Sequence, residues 1–309
     1  MDFRLTEDQT ALRAATRELL ARLYPPERLR EDAAGCGPPR LDRELWRALG
    51  DAGLFSLRLP EAEGGVGLGM PEAVLVFEEA GRALLPGPLV ATHLAAGSVP
   101  GAAAGQVVVT VVDGDTAEWL EEADCVVEGF GEPAVPGPYP ARTEPVRSVD
   151  PLTPLHRVPH DGAGGRAASE AELLTCAQQI GSAARTLELA VQHARTREQF
   201  GRPIGSFQAV KHLCADMLVR LEMARTAVYA AAVTGLPEEH FAAMLLAREA
   251  AGRNARDCLQ VFGGMGFTWE AEVHLHIKRG WVLGLRGRSD RSYEEAVAEQ
   301  LAKGAEWSF

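Results

Sequence analysis

No stretch of this 309-residue sequence approaches the 18 or so uncharged apolar residues that a membrane-spanning helix needs, so no span is expected. The N-terminus, MDFRLTEDQT, is acidic where a secretion signal would be basic and then apolar. Positive charge is not in excess either. Against 43 Asp and Glu stand 31 Lys and Arg, and the resulting −12 argues against a general nucleic-acid or anionic-membrane surface, though not against a locally basic ligand site. The five cysteines, Cys36, Cys125, Cys176, Cys214 and Cys258, stand singly, without the pairings of a zinc knuckle or a redox CxxC. Their odd number points to a reducing cytoplasm and small buried side chains. A glycine-rich phosphate loop with its lysine, HExxH and GxSxG are all missing. What remains is a chain 46% apolar, enough for real cores, with a length that fits two domains or three small ones.

The first hundred residues read as helical. Thr6 and Gln9 match a capping box, and Leu12, Ala15, Leu19 and Leu23 recur on one face until Pro25-Pro26 stops the helix. LDRELWRALG predicts a second helix with Gly50 as its C-cap. A glycine-rich loop follows, and then PEAVLVFEEAGRALL, with Pro71 at the first helical position. The GGVGLG inside that loop lacks the βαβ setting of a dinucleotide fingerprint. From about residue 102 the texture changes to β-branched runs, QVVVTVV and DCVVEGF, then to prolines at 133, 136, 138, 140, 145, 151, 154 and 159. These predict a small β region with long turns. Residues 168–300 return to helix. Leu173, Leu174, Ala177, Gly181, Ala184, Leu187, Val191 and Ala194 form one stripe, and Ser206 is placed to cap a second helix carrying Val210, Leu213, Met217, Leu218, Leu221 and Ala224. A third helix runs from near Pro237 to Gly263-Gly264. Three such helices predict a bundle.

Chemistry concentrates at two polar, glycine-bearing interruptions. RTREQFGRPIGSFQ sets Arg195 and Arg197, a glutamine and an aromatic at a helix-to-helix turn, where a forked guanidinium can hold two phosphate oxygens. LQVFGGMGFTWE adds Gln260 and bare backbone at Gly263 and Gly264, which a flat or phosphorylated ligand can approach. The plainer alternative is that both are ordinary turns whose arginines pair with some of the 43 acids. His274 and His276 in EVHLHIKRG share a side only in an extended strand and find no third ligand nearby, so no metal site is expected.

Four segments together, LFSLRLPEAEGGVGLG, FEEAGRALLPGP, TREQFGRPIGSFQAVKHLCADM and QVFGGMGFTWE, resemble the acyl-CoA dehydrogenase family over roughly the first 95 and last 140 residues. The resemblance implies a mainly α fold: an N-terminal helical domain (1–101), a reduced middle β domain (102–166) and a C-terminal four-helix bundle (167–309). It also implies FAD and the α,β-dehydrogenation of a CoA thioester, a glutamate taking the α-proton while the flavin accepts the hydride. Arg197, Gln199 and Phe200 would contact the FAD of a neighbouring subunit, and Gln260, Gly263 and Gly264 would lie along its pyrophosphate and adenosine. Electron-transfer flavoprotein is the acceptor the family implies.

Two departures qualify the resemblance. The family's flavin-binding middle segments are not recognisable between Ala102 and Arg166, a region about half as long as the family's barrel. Where many members carry the catalytic glutamate near the C-terminus, this chain reads GWVLGLRGRSDRS, with Arg286 and Arg288. Other members place the base early in the first C-terminal helix, where Glu170 and Glu172 stand, while Glu270 in FTWE reads as structural or near the ligand entrance. The shortened chain is similar to the reduced subunit of heteromeric actinobacterial dehydrogenases that act on sterol and bile-acid side chains. That resemblance implies a second, fuller dehydrogenase-like subunit as partner. A self-sufficient homotetramer using Glu170 or Glu172, and a non-catalytic structural subunit, stay open.

Overall fold

Helix α1 (Glu7–Leu23) begins where its capping box closes: Thr6 Oγ1 accepts from the Gln9 amide and Gln9 Oε1 accepts from the Thr6 amide, each at 3.1 Å. The computed structural model describes residues 4–35, 37, 39–130, 142–159 and 169–304. Cys36, Pro133, Pro136, Pro138, Pro140 and Arg166, all used in the sequence reading, lie outside the described residues.

Pro25-Pro26 ends α1 as expected, but Pro26 also opens a helix the sequence reading lacked, α2 (Pro26–Ala34), because a proline's missing N–H is harmless in a first turn. Helix α3 (Arg43–Asp51) corrects the C-cap at Gly50. That glycine lies inside the helix, where a Cβ would stand 2.3 Å from the Ala104 carbonyl carbon, so its role is close approach and the cap falls to Ala52. Helix α4 (Met70–Arg82) starts one residue before Pro71, with Gly69 as N-cap and its amide bonded to the Glu72 carboxylate at 3.0 Å. Helix α5 (Leu89–Ala95) leads into the sheet.

Strands β1 (Val109–Asp113), β2 (Thr116–Glu118), β3 (Cys125–Glu128), β4 (Glu144–Val146) and β5 (Leu155–Arg157) form one sheet in the order β3-β1-β2-β5-β4. Of its pairs only β1–β3 is parallel, with Val109 opposite Cys125. Three long helices follow: α6 (Ser169–Thr196), α7 (Gln208–Thr234) and α8 (Pro237–Phe262). Ser206 does not cap α7. It sits in a short 3-10 turn, and Phe207 takes the N-cap position without a side-chain bond, since the extended backbone needed there comes one residue later. Helices α9 (Val273–Leu283) and α10 (Asp290–Gly304) complete the C-terminal part.

One apolar core joins α3, α4, α6, α7 and α8 through Trp46, Phe77, Ile180, Leu221, Val228 and Met244. Burying each large side chain contributes about 1.5–3 kcal/mol. Helices α4 and α6 touch along their backbones: a Cβ on Gly81 would lie 2.0 Å from the Gln178 oxygen, and one on Gly181 would lie 1.8 Å from the Glu78 oxygen. Beside that contact, the buried Glu78 carboxylate accepts from Arg225 and from the Tyr229 hydroxyl, and the buried Glu79 carboxylate accepts both prongs of Arg17. Among the described residues no helix is long and apolar enough to cross a membrane.

Candidate functional site

Because α6, α7 and α8 alternate in direction, the C-terminus of α6, the N-terminus of α7 and the C-terminus of α8 share one end of the bundle. There the TREQFGRPIG segment folds into a hairpin of β6 (Glu198–Gln199) and β7 (Arg202–Pro203). Its stem is fastened by the Arg197 amide to the His193 carbonyl and by the Ile204 amide to the Arg197 carbonyl, each at 2.8 Å. At the tip Phe200 takes a left-handed conformation (φ 55°), which a bulky side chain adopts only against a steric cost, and its ring is 91% exposed. The Arg202 guanidinium caps the Phe207 ring at 4.2 Å. Gln199 turns back on its own strand, its amide donating to the Glu198 carbonyl.

His193 also stacks on Phe262 at 4.2 Å, which ties the hairpin to the end of α8. The structure therefore brings Arg197, Gln199 and Phe200 to the same end as Gln260, Gly263 and Gly264, all of them exposed. Gly263 has φ 59°, and a Cβ on Gly263 or Gly264 would meet nothing within 4 Å. Arg195 and Arg197 are both exposed, and neither finds an ion-pair partner among the described residues. Two exposed arginines, a projecting ring and bare backbone are groups that a phosphate-bearing, aromatic ligand could engage.

The two candidate bases, by contrast, part company. Two positions along a helix are about 200° apart, so Glu170 and Glu172 face different surroundings. Glu170 accepts both prongs of Arg58 at 2.7 Å. Glu172 is buried and accepts the Tyr293 hydroxyl at 2.6 Å, and burial pushes its carboxyl pKa up. Beside it lies a cavity of only about 10 Å³, lined by Ala171, Thr175, Met244, Phe130 and Arg286. Arg286 forks onto Glu118 of β2, with Nε 2.6 Å from Oε1. Asp113 of β1 borders the same space, and burial raises its pKa as well. Glu270 is exposed, and its backbone carbonyl accepts from Arg30.

His274 and His276 lie on helix α9, not on a strand, and so on different faces. His274 meets the edge of Trp269, while His276 is buried with Nδ1 2.8 Å from the Ser182 hydroxyl. No group of three metal-ligating side chains forms among the described residues. The sequence reading missed Tyr293, Glu118 and Arg58. They lie 121, 168 and 112 residues from the groups they bind, and no local pattern signals such pairs.

The sequence profile "Acyl-CoA dehydrogenase, N-terminal domain" matches residues 6–106, and "Acyl-CoA dehydrogenase, C-terminal domain" matches residues 167–283. Over 305 aligned residues the chain is 36% identical to the acyl-CoA dehydrogenase IpdE2 of Mycobacterium tuberculosis, covering 88% of this chain and 91% of that protein. The chain belongs to the acyl-CoA dehydrogenase family. Among solved structures it is similar to a variant of the Tcur3481-Tcur3483 steroid ACAD, with a TM-score of 0.80 and 25% identity over 97% of this chain and 99% of that one. It also shares its fold with the ChsE4-ChsE5 complex from Mycobacterium tuberculosis, at a TM-score of 0.78 and 24% identity over 98% and 99% of the two chains. An acyl-CoA dehydrogenase can thus be described from both ends inward: the profile matches flank residues 107–166, where the small sheet stands.

Proposed function

We propose that this chain is one subunit of an FAD-dependent acyl-CoA dehydrogenase that oxidises the Cα–Cβ bond of a CoA thioester. In this reading it donates bundle-end contacts to a flavin held mainly by a fuller partner subunit across a reduced middle domain. The observation that carries the reading is the contrast between the chain's two ends of chemistry. Arg197 is exposed with no ion-pair partner among the described residues, and Phe200 projects at the same end of the bundle as the bare backbone at Gly263-Gly264. The chain's own would-be base positions are engaged internally: Glu170 by Arg58, Glu172 by Tyr293, with Arg286 on Glu118.

Arg197 would pair with the pyrophosphate charge, Phe200 and Gln199 would cover the ring systems, and Gln260, Gly263 and Gly264 would admit the phosphate-ribose stretch to close backbone contact. Bound FAD supplies the two-electron hydride acceptance that no side chain can perform. A steroid or bile-acid side-chain thioester is the proposed substrate, supported by the name of the Tcur3481-Tcur3483 steroid ACAD, and that paired name also supports a heterotetramer. Electron-transfer flavoprotein as acceptor and a cytoplasmic location complete the proposal.

Coexpression with the partner dehydrogenase should yield yellow protein, whereas the chain alone should purify largely free of flavin. Full flavin occupancy and turnover by the isolated chain would reject the assignment. The raised pKa and burial of Glu172 favour one second reading, a self-sufficient homotetramer with that carboxylate as base. Glu172→Gln and Glu170→Gln, assayed in the flavin-loaded protein on medium-chain and sterol-type thioesters, separate the two.

A further inference from the structure

A cleft of about 620 Å³ opens where the loop after α2 meets the ends of β2, β4 and β5. Strand order sets its layout. β5 lies between β2 and β4, with Leu155 opposite Glu118 on one side and opposite Val146 on the other. The chain leaves β2 just beyond Glu118 and leaves β4 just beyond Val146, so both exits come at the same end of β5. Glu121 and Glu122 follow the first exit and Arg147 follows the second, while Arg40 adds another cation from the loop before α3. The exits from β2 and β4 are two strand spacings apart, about 10 Å, with Pro154 and Leu155 between them.

The charges on these walls do not cancel one another. Arg40 and Arg147 are exposed and form no ion pair among the described residues, and the Glu122 carboxylate forms none either. Glu121 is steadied by the buried ring of His156, whose Nε2 lies 3.2 Å from Oε1. The remaining acid in the lining, Asp150, is spoken for: it pairs with Arg279 and accepts from the Thr153 hydroxyl and the Leu152 amide. Pro145, Val146 and Pro151 add apolar surface. A cleft of this volume, with apolar walls and a few charged groups, has the make-up of a small-molecule site.

We propose that the cleft binds a short zwitterionic peptide of about three residues, its ammonium on the Glu121–Glu122 side and its carboxylate on Arg147 and Arg40. An extended chain of three residues spans about 10 Å, which matches the gap, whereas a single amino acid reaches only one wall at a time. A simple anion would meet the carboxylates and a simple cation the arginines, so a ligand carrying both charges is the complementary one. The forked guanidiniums suit a terminal carboxylate in particular. The cleft shares no residue with the bundle end, and this inference is independent of the shared-flavin reading, which flavin retention tests separately.

The test is isothermal titration of the full chain at low salt with trialanine, N-acetyl-trialanine and trialanine amide, the last two each lacking one terminal charge. Trialanine should bind once per chain, and each capped peptide about tenfold or more weakly. Glu121→Gln with Glu122→Gln, which keeps an acceptor for His156, should lower trialanine affinity to the same degree and should not weaken N-acetyl-trialanine. Arg40→Ala with Arg147→Ala should do the converse and spare trialanine amide. Circular dichroism checks folding, and Glu122→Gln or Arg147→Ala alone carries the same expectation where a double variant does not fold. No saturable binding of trialanine, equal binding of the capped peptides, or equal losses for all three peptides in a folded variant would each overturn the proposal.

Discussion

Tyr293, on the last described helix, donates its hydroxyl to the Glu172 carboxylate 2.6 Å away, joining the two ends of the C-terminal half inside the protein. The same tyrosine oxygen accepts from the Arg288 amide at 2.9 Å, so the pair also pins the segment that carries Arg286. Burial works against the charge on Glu172 and raises its pKa, while the tyrosine bond and the nearby arginines partly offset that.

The sign of the resulting pH effect follows from linkage. A carboxyl whose pKa is higher folded than unfolded binds more protons in the folded state between the two values, so stability falls as pH rises through that window. Glu172→Gln removes the ionisation and keeps an acceptor for Tyr293. Its melting temperature should exceed that of wild type at pH 8, and the difference should vanish on acidification below the carboxyl's ordinary value of 4.5. An unchanged difference across the whole range would show that ionisation of Glu172 is not responsible.

His93 behaves oppositely. Its Nδ1–H donates to the Leu54 carbonyl at 3.1 Å, and burial lowers its pKa from 6.5 to about 4. A histidine held neutral supports folding above its unfolded pKa, and that support is lost as pH falls from about 6.5 toward 4. The loss is on the order of 3 kcal/mol at most. Denaturant titrations should show a shallower decline over this window for His93→Gln than for wild type.

Glu78 is 2% exposed and binds Arg225 and Tyr229 across the α4–α7 contact. Removing one member of a buried pair strands the other, so Glu78→Ala should destabilise the chain by about 3–5 kcal/mol. Urea unfolding measures this directly, and a loss below ~1 kcal/mol would mean that water reaches Arg225 readily.

Two glycines allow a paired comparison. Gly181→Ala would drive a Cβ to 1.8 Å from the Glu78 oxygen and should destabilise by at least the ~1–3 kcal/mol of an overpacked core. Gly264→Ala meets nothing within 4 Å, and its stability should stay within about 0.5 kcal/mol of wild type. If the backbone there faces a cofactor, the same methyl should reduce flavin retention in the assembled complex, read from the flavin-to-protein absorbance ratio.

Arg197→Ala should leave the Tm of the isolated chain unchanged, because its exposed side chain has no ion-pair partner to lose among the described residues. In the complex it should lower flavin retention roughly tenfold or more, and Arg197→Lys should restore only part of it, since an ammonium cannot hold two oxygens at once. Retention equal to wild type in both variants would assign the arginine a merely structural role.

Much of this protein is legible in its sequence, where the signal is local. The Thr6–Gln9 cap, the helix that starts at Pro237 and the glycine stop at Gly263 depend on neighbours a few residues away, and the structure has all three. Local cues failed where a distant backbone intervened: Gly50 resembles a cap only until Ala104 is placed against it. The two-residue spacing of His274 and His276 carried no local cue of this kind, because it does not say which face of a helix is buried; His276 is the buried one, bonded to Ser182.

The sequence by itself determined the family, the helical halves, the small sheet and the polar turn that becomes the outward hairpin, all of which follow from patterns carried along the chain. Only the tertiary structure decided that Glu170 and Glu172 have separate fates, that Arg197 stays without an acidic partner among the described residues and that Arg286 forks onto Glu118. Those outcomes rest on desolvation and on partners more than a hundred residues away, and both exist only once the chain has packed.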